Sequence, residues 1–389
     1  MNDHPTFSHK IYRLLYGFLL LGLITFVTGL FLNPERIWPN FLVAEVYLIG
    51  LGLGAGFFIA IQHLSNAAWG TVYRRIPEAM ISIIPYAAGG ILVLAFGVHS
   101  LYEWSRPSVV ANDPLLQEKS AWLNVTFFFG RLAFYFAGWI YLGRKLVKHS
   151  ILQDEDGDLD HTRKNIRYSA LFTLFGAVTF CFASFDLLMS LEAHWYSTVF
   201  GLLALSGLFL NAMAAITIVA VILRKMGYDH IITTGHMADL GKLLMSFSVF
   251  WVYMWVSQHL LIWYSNIPEE TSYYIFRHFG GWGSLSFLNV VLNWLLPFLV
   301  LLPYAAKRSD KILVQVSVVL LVGHWLDLFI MVMPVTFGDQ PALGLWEIGT
   351  ILGALALFFF VTFRMLEKHR LVPVNDPYLV ESLPRAQEA

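Results

Sequence analysis

The sequence predicts an all-α membrane protein of ten transmembrane helices, and three observations carry that reading. Of its 389 residues, 57% are hydrophobic and only 13% charged, more apolar surface than a water-soluble domain carries without aggregating. Ten segments are long and apolar enough to cross a hydrocarbon core about 30 Å thick, which takes about 20 residues at a helical rise of 1.5 Å each. The basic residues fall almost wholly on one side of those segments.

The ten spans are expected at 11–32, 41–64, 80–101, 122–143, 168–189, 198–223, 242–264, 284–305, 312–333 and 345–364. The first is too long for a signal peptide and lacks a small-residue cleavage site. Cytoplasmic loops retain Lys and Arg, and placing both termini inside puts 20 of the 25 basic residues there. Four, Arg36, Arg106, Lys119 and Arg277, fall outside, and Arg131 lies within the fourth span. The pieces between spans are short: an acidic stretch at 154–160, an outer loop at 103–121 and a cytoplasmic tail at 372–389. None is long enough for a core of its own, so 1–389 reads as one polytopic domain. The spacing of Asp154, Asp156, Asp158 and Asp160 mimics a calcium loop, but Gly157 is misplaced and no Glu stands at the twelfth position, so a solvated loop is expected.

A short internal repeat organises the spans. Ser184-Phe185-Asp186-Leu187-Leu188-Met189 ends the fifth span, and the ninth contains Trp325-Leu326-Asp327-Leu328-Phe329-Ile330-Met331. Two spans four apart thus share an Asp near the same end. This predicts two four-helix bundles, spans 2–5 (41–190) and 6–9 (198–333), related by a parallel repeat and flanked by spans 1 and 10.

Composition also excludes chemistries. A net charge of −1 gives nucleic acid no basic surface, and one cysteine, Cys181, cannot hold an iron–sulfur cluster or a disulfide framework. His63, His99, His259 and His324 stand singly on their spans, which argues against a bis-histidine haem. No metal ligation within this chain is expected. Glycines 50, 52, 54 and 56 read as close helix packing.

What remains is a set of ionisable groups inside the bilayer, each costing at least about 2.5–3.5 kcal/mol at its centre. Arg131, about nine residues into its expected span and near the midplane, calls for a carboxylate partner, Asp186 first because it lies on the adjacent span. The competing role is an internal ion pair that only fixes helix register. The other polar groups gather in the outer half: Glu45, His99, Asp186, Gln258 with His259, Asn289 with Asn293, His324 with Asp327, and Glu347. The i,i+4 spacing of Asn289 and Asn293, and the i,i+3 spacing of His324 and Asp327, put each pair on one helix face. A His–carboxylate pair is suited to exchanging protons, so Asp186, His324 and Asp327, helped by Glu192 and His194 in the outer loop, form a candidate exit relay. The bland alternative is hydrogen-bonding glue between helices. The inner half offers Gln62, His63, Asp239, Asn211, Thr217, Ser246 and Ser248, groups that would hold a water chain.

The run Ser190-Leu191-Glu192-Ala193-His194-Trp195-Tyr196-Ser197-Thr198, within the stretch 184–201 of a ten-span chain of this length, resembles the NrfD-like (polysulfide-reductase-type) membrane subunits of bacterial alternative complex III. It is more similar to the second of the two such subunits, with Ala193 where the family usually has Pro. The resemblance extends over all ten spans. It implies membership of a quinol-oxidising complex in the bacterial cytoplasmic membrane, passing electrons through iron–sulfur and haem subunits to cytochrome c or an oxidase. The implied partners are a homologous NrfD-like subunit, an iron–sulfur subunit and c-type cytochromes. Quinol is the implied ligand and proton translocation the implied task, and this chain would hold no redox centre of its own. Two rivals stand beside this reading. One is a secondary transporter, against which the parallel repeat and the lack of paired Gly/Pro breaks speak. The other is a structural anchor for extramembrane redox subunits.

Orientation is directly testable. Reporter fusions at Asp156 and Asn112 should report opposite sides, Asp156 cytoplasmic, and an external Asp156 would overturn the topology.

Overall fold

In the computed structural model, which describes residues 4–383, ten helices are long and apolar enough to cross a membrane, and no strand occurs among the described residues. Numbered in chain order, they are spans 1 (His9–Leu32), 2 (Pro34–Leu64), 3 (Thr71–Leu94), 4 (Val125–Asp156), 5 (Asp160–Glu192), 6 (Phe200–Tyr228), 7 (Thr234–Ser265), 8 (Gly280–Leu301), 9 (Asp310–Val332) and 10 (Leu345–Lys368). Alternating direction gives the molecule a basic end, which carries the Arg- and Lys-rich connections, and an opposite loop end, with the longer connections after spans 3, 5, 7 and 9.

Local chemistry sets where spans begin and stop. Asn124 accepts the Phe127 N–H at 2.8 Å to start span 4, and Gly157, at φ 70°, ends it in the left-handed conformation that a side chain would strain. Span 8 changes register midway, with a π-helical turn at Val291–Leu295. Pro297 has no N–H to return to the carbonyl of Asn293, and the Ser248 hydroxyl of span 7 donates to that carbonyl instead, at 2.6 Å.

Several boundaries depart from expectation. Spans 4, 5 and 7 run about two to four turns further toward the basic end, because their polar continuations stay helical after the apolar stretch stops. The acidic residues 154–160 are therefore mostly helix ends, and Asp154 is held by Arg75. Span 3 begins nine residues early, at Thr71, and stops at Leu94. Arg74 and Arg75, expected in a loop, are buried in its first turns, and His99 falls outside it in the short helix Val98–Leu101. The outer loop at 103–121 folds into short helices that bury Trp104 and Leu116. The tail is not free: residues 372–383 lie across the basic end, where Asp376 pairs with Arg74 and the Ser382 carbonyl meets His236 Nε2 at 2.9 Å. Residues 384–389, with the Arg385 counted above, and residues 1–3 lie outside the described residues.

Spans 2, 3, 4 and 5 pack in a closed ring, and spans 6, 7, 8 and 9 in another. Span 2 also contacts spans 6, 9 and 10, and the whole of its apolar window is buried. Its glycines make this hub role feasible. Gly52 lies against Ile83 and Ile84 of span 3, Gly54 against Ala212 and Leu208 of span 6, and Gly56 against Phe172 of span 5. Span 1 pairs with span 10 across a similar close approach, where a Cβ on Gly22 would come within 2.6 Å of Gly353 Cα.

Gly54→Leu should therefore separate the two rings and cost about 1–3 kcal/mol by overpacking, or prevent folding. Gly89→Ala, in open space on span 3, should be neutral. Thermal unfolding of both variants in detergent checks this.

Candidate functional site

Two aspartates at matching places in the two rings sit in cages of the same design. Asp186, fully buried on span 5, receives a bidentate grip from Arg131 of span 4, Nε to Oδ2 at 3.0 Å and Nη2 to Oδ1 at 2.7 Å. Trp122 Nε1 donates to Oδ1 at 3.2 Å and the Tyr135 hydroxyl to Oδ2 at 3.4 Å. The guanidinium lies over the rings of Trp122 and Phe127 and spends Nη1 on the Trp122 carbonyl at 2.8 Å. The predicted partner of Arg131 is thus the observed one. Its depth is not as expected: span 4 starts at Val125, so Arg131 is six residues in, about 9 Å from the loop end and not at the midplane.

Asp327, on span 9, is held by Asn289 Nδ2 at 2.7 Å and Trp251 Nε1 at 3.1 Å. Asn289 is in turn held by Asn293, whose Nδ2 reaches its Oδ1 at 2.6 Å. The parallel is close. Each Asp accepts from the first residue of an i,i+4 pair on the preceding span, Arg131 before Tyr135 or Asn289 before Asn293, and each accepts one indole N–H, although Tyr135 bonds its carboxylate directly and Asn293 only Asn289. The difference is charge: Asp186 has an arginine, whereas Asp327 forms no ion pair among the described residues.

The remaining buried carboxylates divide the same way. Glu347 of span 10 accepts Arg36 Nε and Nη2, both at 2.7 Å, together with Asn40 and the Gly344 N–H. Glu192, part-exposed at the loop end, is bound by Arg277, itself buried and donating to the carbonyls of Ile330 and Met331 at the end of span 9. Glu45 of span 2 has neither cation nor any partner at Oε2, and fits against span 3 because Gly90 has no side chain. Glu45 was only one of many polar groups in the sequence. Its lack of a cation, visible in three dimensions alone, sets it beside Asp327.

The histidines separate. His324 is buried with its ring 5.6 Å from that of Tyr47 and makes no hydrogen bond to Asp327, so the expected His–carboxylate pair is not formed. Glu192 and His194 do not join Asp186 either. His194 is exposed and meets Asp113 Oδ2 at 2.8 Å. Against desolvation, the Leu116 N–H and His194 hold the Asp113 carboxyl below its usual range. His259 has a partner that the sequence did not disclose: its Nε2 lies 2.9 Å from Nε2 of His278, in the helix Pro268–His278 at the loop end. Nδ1 of each ring faces a carbonyl, Trp255 O at 3.2 Å and Tyr274 O at 3.0 Å. A neutral imidazole carries one N–H, so the Nε2–Nε2 contact is a hydrogen bond when one of the two rings has its proton on Nε2. Burial, reinforced by Arg277 and opposed by the Tyr274 carbonyl, pushes His278 below the ordinary imidazole range, so a proton held there is readily surrendered.

Toward the basic end, Asn211 and Gln62 have no partner at either amide atom, nor has His63 at Nε2 or Ser317 at Oγ. Buried polar atoms of this kind are what internal water satisfies. No group of three His, Cys, Asp or Glu residues suited to a metal ion occurs among the described residues.

No protein-family model matches this chain, and no curated protein matches it.

Removing Arg131 would leave Asp186 buried and uncompensated. Arg131→Leu should cost about 3–5 kcal/mol or abolish folding, and Arg131→Leu with Asp186→Leu should recover much of the loss. Chemical unfolding of the detergent-solubilised variants decides; an unchanged Arg131→Leu would refute the pairing.

Proposed function

We propose that this chain is a membrane subunit of a bacterial quinol-oxidising respiratory complex, related to the NrfD-like subunits, whose own task is to take up and pass protons. The observation that carries this reading is the division among buried carboxylates. Asp186, Glu347 and Asp376 are each neutralised by an arginine, whereas Asp327 and Glu45 have no cation among the described residues, which leaves a proton as their counter-charge. A carboxyl that gains and loses a proton inside the membrane, beside a polar ladder of Asn289 and Asn293, is a carrier.

Quinol oxidation releases two protons and two electrons, and the parts of this chain suit the protons. The His259–His278 pair at the loop end suits the hand-over of a proton from one ring to the other. The buried amides of Gln62 and Asn211, the latter beside Tyr47, would line a hydrated route from the basic end toward the carboxyls. The electrons would pass to iron–sulfur and c-type haem partners. Charge bias supports a loop end outside the cytoplasm.

The arginine-bound carboxylates favour a second reading, a rigid anchor for redox subunits, and one experiment separates the two. Purified from native membranes, the chain should bring c-type haem and iron–sulfur proteins with it; isolation without them would return the transporter reading. In vesicles reconstituted with that complex, Asp327→Asn and Glu45→Gln should retain cofactors but lower the proton-to-electron ratio. Wild-type ratios in both variants would leave the anchor.

A further inference from the structure

Spans 4 and 10 stand on either side of span 3 and enclose an open groove of about 830 Å³ at the basic end. Its walls are apolar, including Ile84 and Pro85 of span 3, Trp139 and Ile140 of span 4, and Phe360 and Val361 of span 10. Its upper rim is cationic: Arg144 and Lys148 from span 4 face Arg364 and Lys368 from span 10.

The register of these four residues is informative. Both spans run from the loop end toward the basic end, span 4 from Val125 and span 10 from Leu345. Arg144 and Arg364 each lie 19 residues beyond those starts, about 29 Å along the helix and thus level with the edge of a hydrocarbon core about 30 Å thick. Lys148 and Lys368 follow one turn later, at the level of lipid phosphates. Little protein charge opposes them. Arg144, Lys148 and Lys368 have no acidic partner among the described residues, and Arg364 has only Glu367, 3.7 Å away. Of the other acids at this end, Glu78 and Asp154 are already held by Arg75.

We propose that this groove binds one anionic diacyl phospholipid of the surrounding leaflet, its phosphate between the two Arg/Lys pairs and its acyl chains along the apolar walls. The match is of charge, depth and polarity together: a zwitterionic lipid would fill the walls but leave the rim uncompensated, and a free anion would leave the walls exposed. This assignment does not depend on the chain's role in respiration.

The test is lipid retention by the purified full chain. Delipidated protein is exchanged into mixed micelles with equal phosphatidylglycerol and phosphatidylcholine, and bound lipids are counted by native mass spectrometry. The wild type should keep one phosphatidylglycerol in preference. Lys148→Gln with Lys368→Gln should reduce that preference about tenfold, at roughly 1 kcal/mol per cation partly screened. Arg144→Lys with Arg364→Lys should preserve it, since charge and not fork geometry is required. Equal retention of both lipids by the wild type would overturn the proposal, as would undiminished selectivity in a variant with all four cations changed to Gln. Displacement of the bound lipid by millimolar inorganic phosphate would also overturn it, showing a free-anion site.

Discussion

A charge without a counter-charge is the costliest thing a membrane interior can hold, and the placement of charged residues here follows from that cost. Six ion pairs each tie together parts of the chain distant in sequence. Arg36 joins the start of span 2 to Glu347 of span 10, and Arg131 joins span 4 to Asp186 of span 5. Arg277 binds Glu192 and clasps two carbonyls of span 9, while Arg224 of span 6 reaches Asp310 at the start of span 9. At the basic end Arg74 fixes the tail through Asp376, and Arg75 reaches Asp154 of span 4. Between helices that lipid would solvate as readily as each other, apolar burial alone gives little preference for one neighbour over another. Pairs that must be satisfied supply that preference.

Seen this way, the two aspartate cages are one design put to two uses. Both take a carboxyl from the last span of a ring, an i,i+4 pair from the preceding span and an indole N–H. In the first ring the pair begins with arginine, and the result is a closed, charge-balanced joint. In the second the arginine's place is taken by Asn289, a neutral donor, and Asp327 has no cation among the described residues. The same backbone thus carries a staple on one side and a titratable group on the other.

Much of this was legible in the sequence, and the illegible parts have a common cause. Apolar length reveals a span's core, so all ten were found, but not where a polar helix continues beyond it, as at 144–156 or 160–167. Arg131 and Asp186 could be paired in advance because each is a lone charge on adjacent spans. Arg74, Arg75 and Arg277 could not, since an arginine between apolar segments reads as a loop residue until its buried partner is seen. Sequence spacing also misled at His324 and Asp327. Two residues i,i+3 on one helix share a face broadly, yet His324 turns toward Tyr47 and Gly207 while Asp327 turns to Asn289. His259 appeared alone because its partner, His278, lies on a helix too short and polar to count as a span.

Backbone irregularity falls on the same side as the unbalanced charge. The π turn of span 8 sits one turn from Asn289, and it exists because Pro297 frees the Asn293 carbonyl for Ser248. The first ring has the opposite character. Its aspartate is neutralised and its span 4 is a continuous helix from Val125 to Asp156. Its outer surface carries the cationic groove between spans 4 and 10. Arginine-balanced carboxylates thus concentrate in spans 2–5 and 10, and the cation-free Asp327 lies on span 9, with Glu45 on span 2 where the two rings meet. If a proton moves through this chain, that division places its path along the second ring, where a change of charge disturbs the fewest of the pairs that hold the helices together.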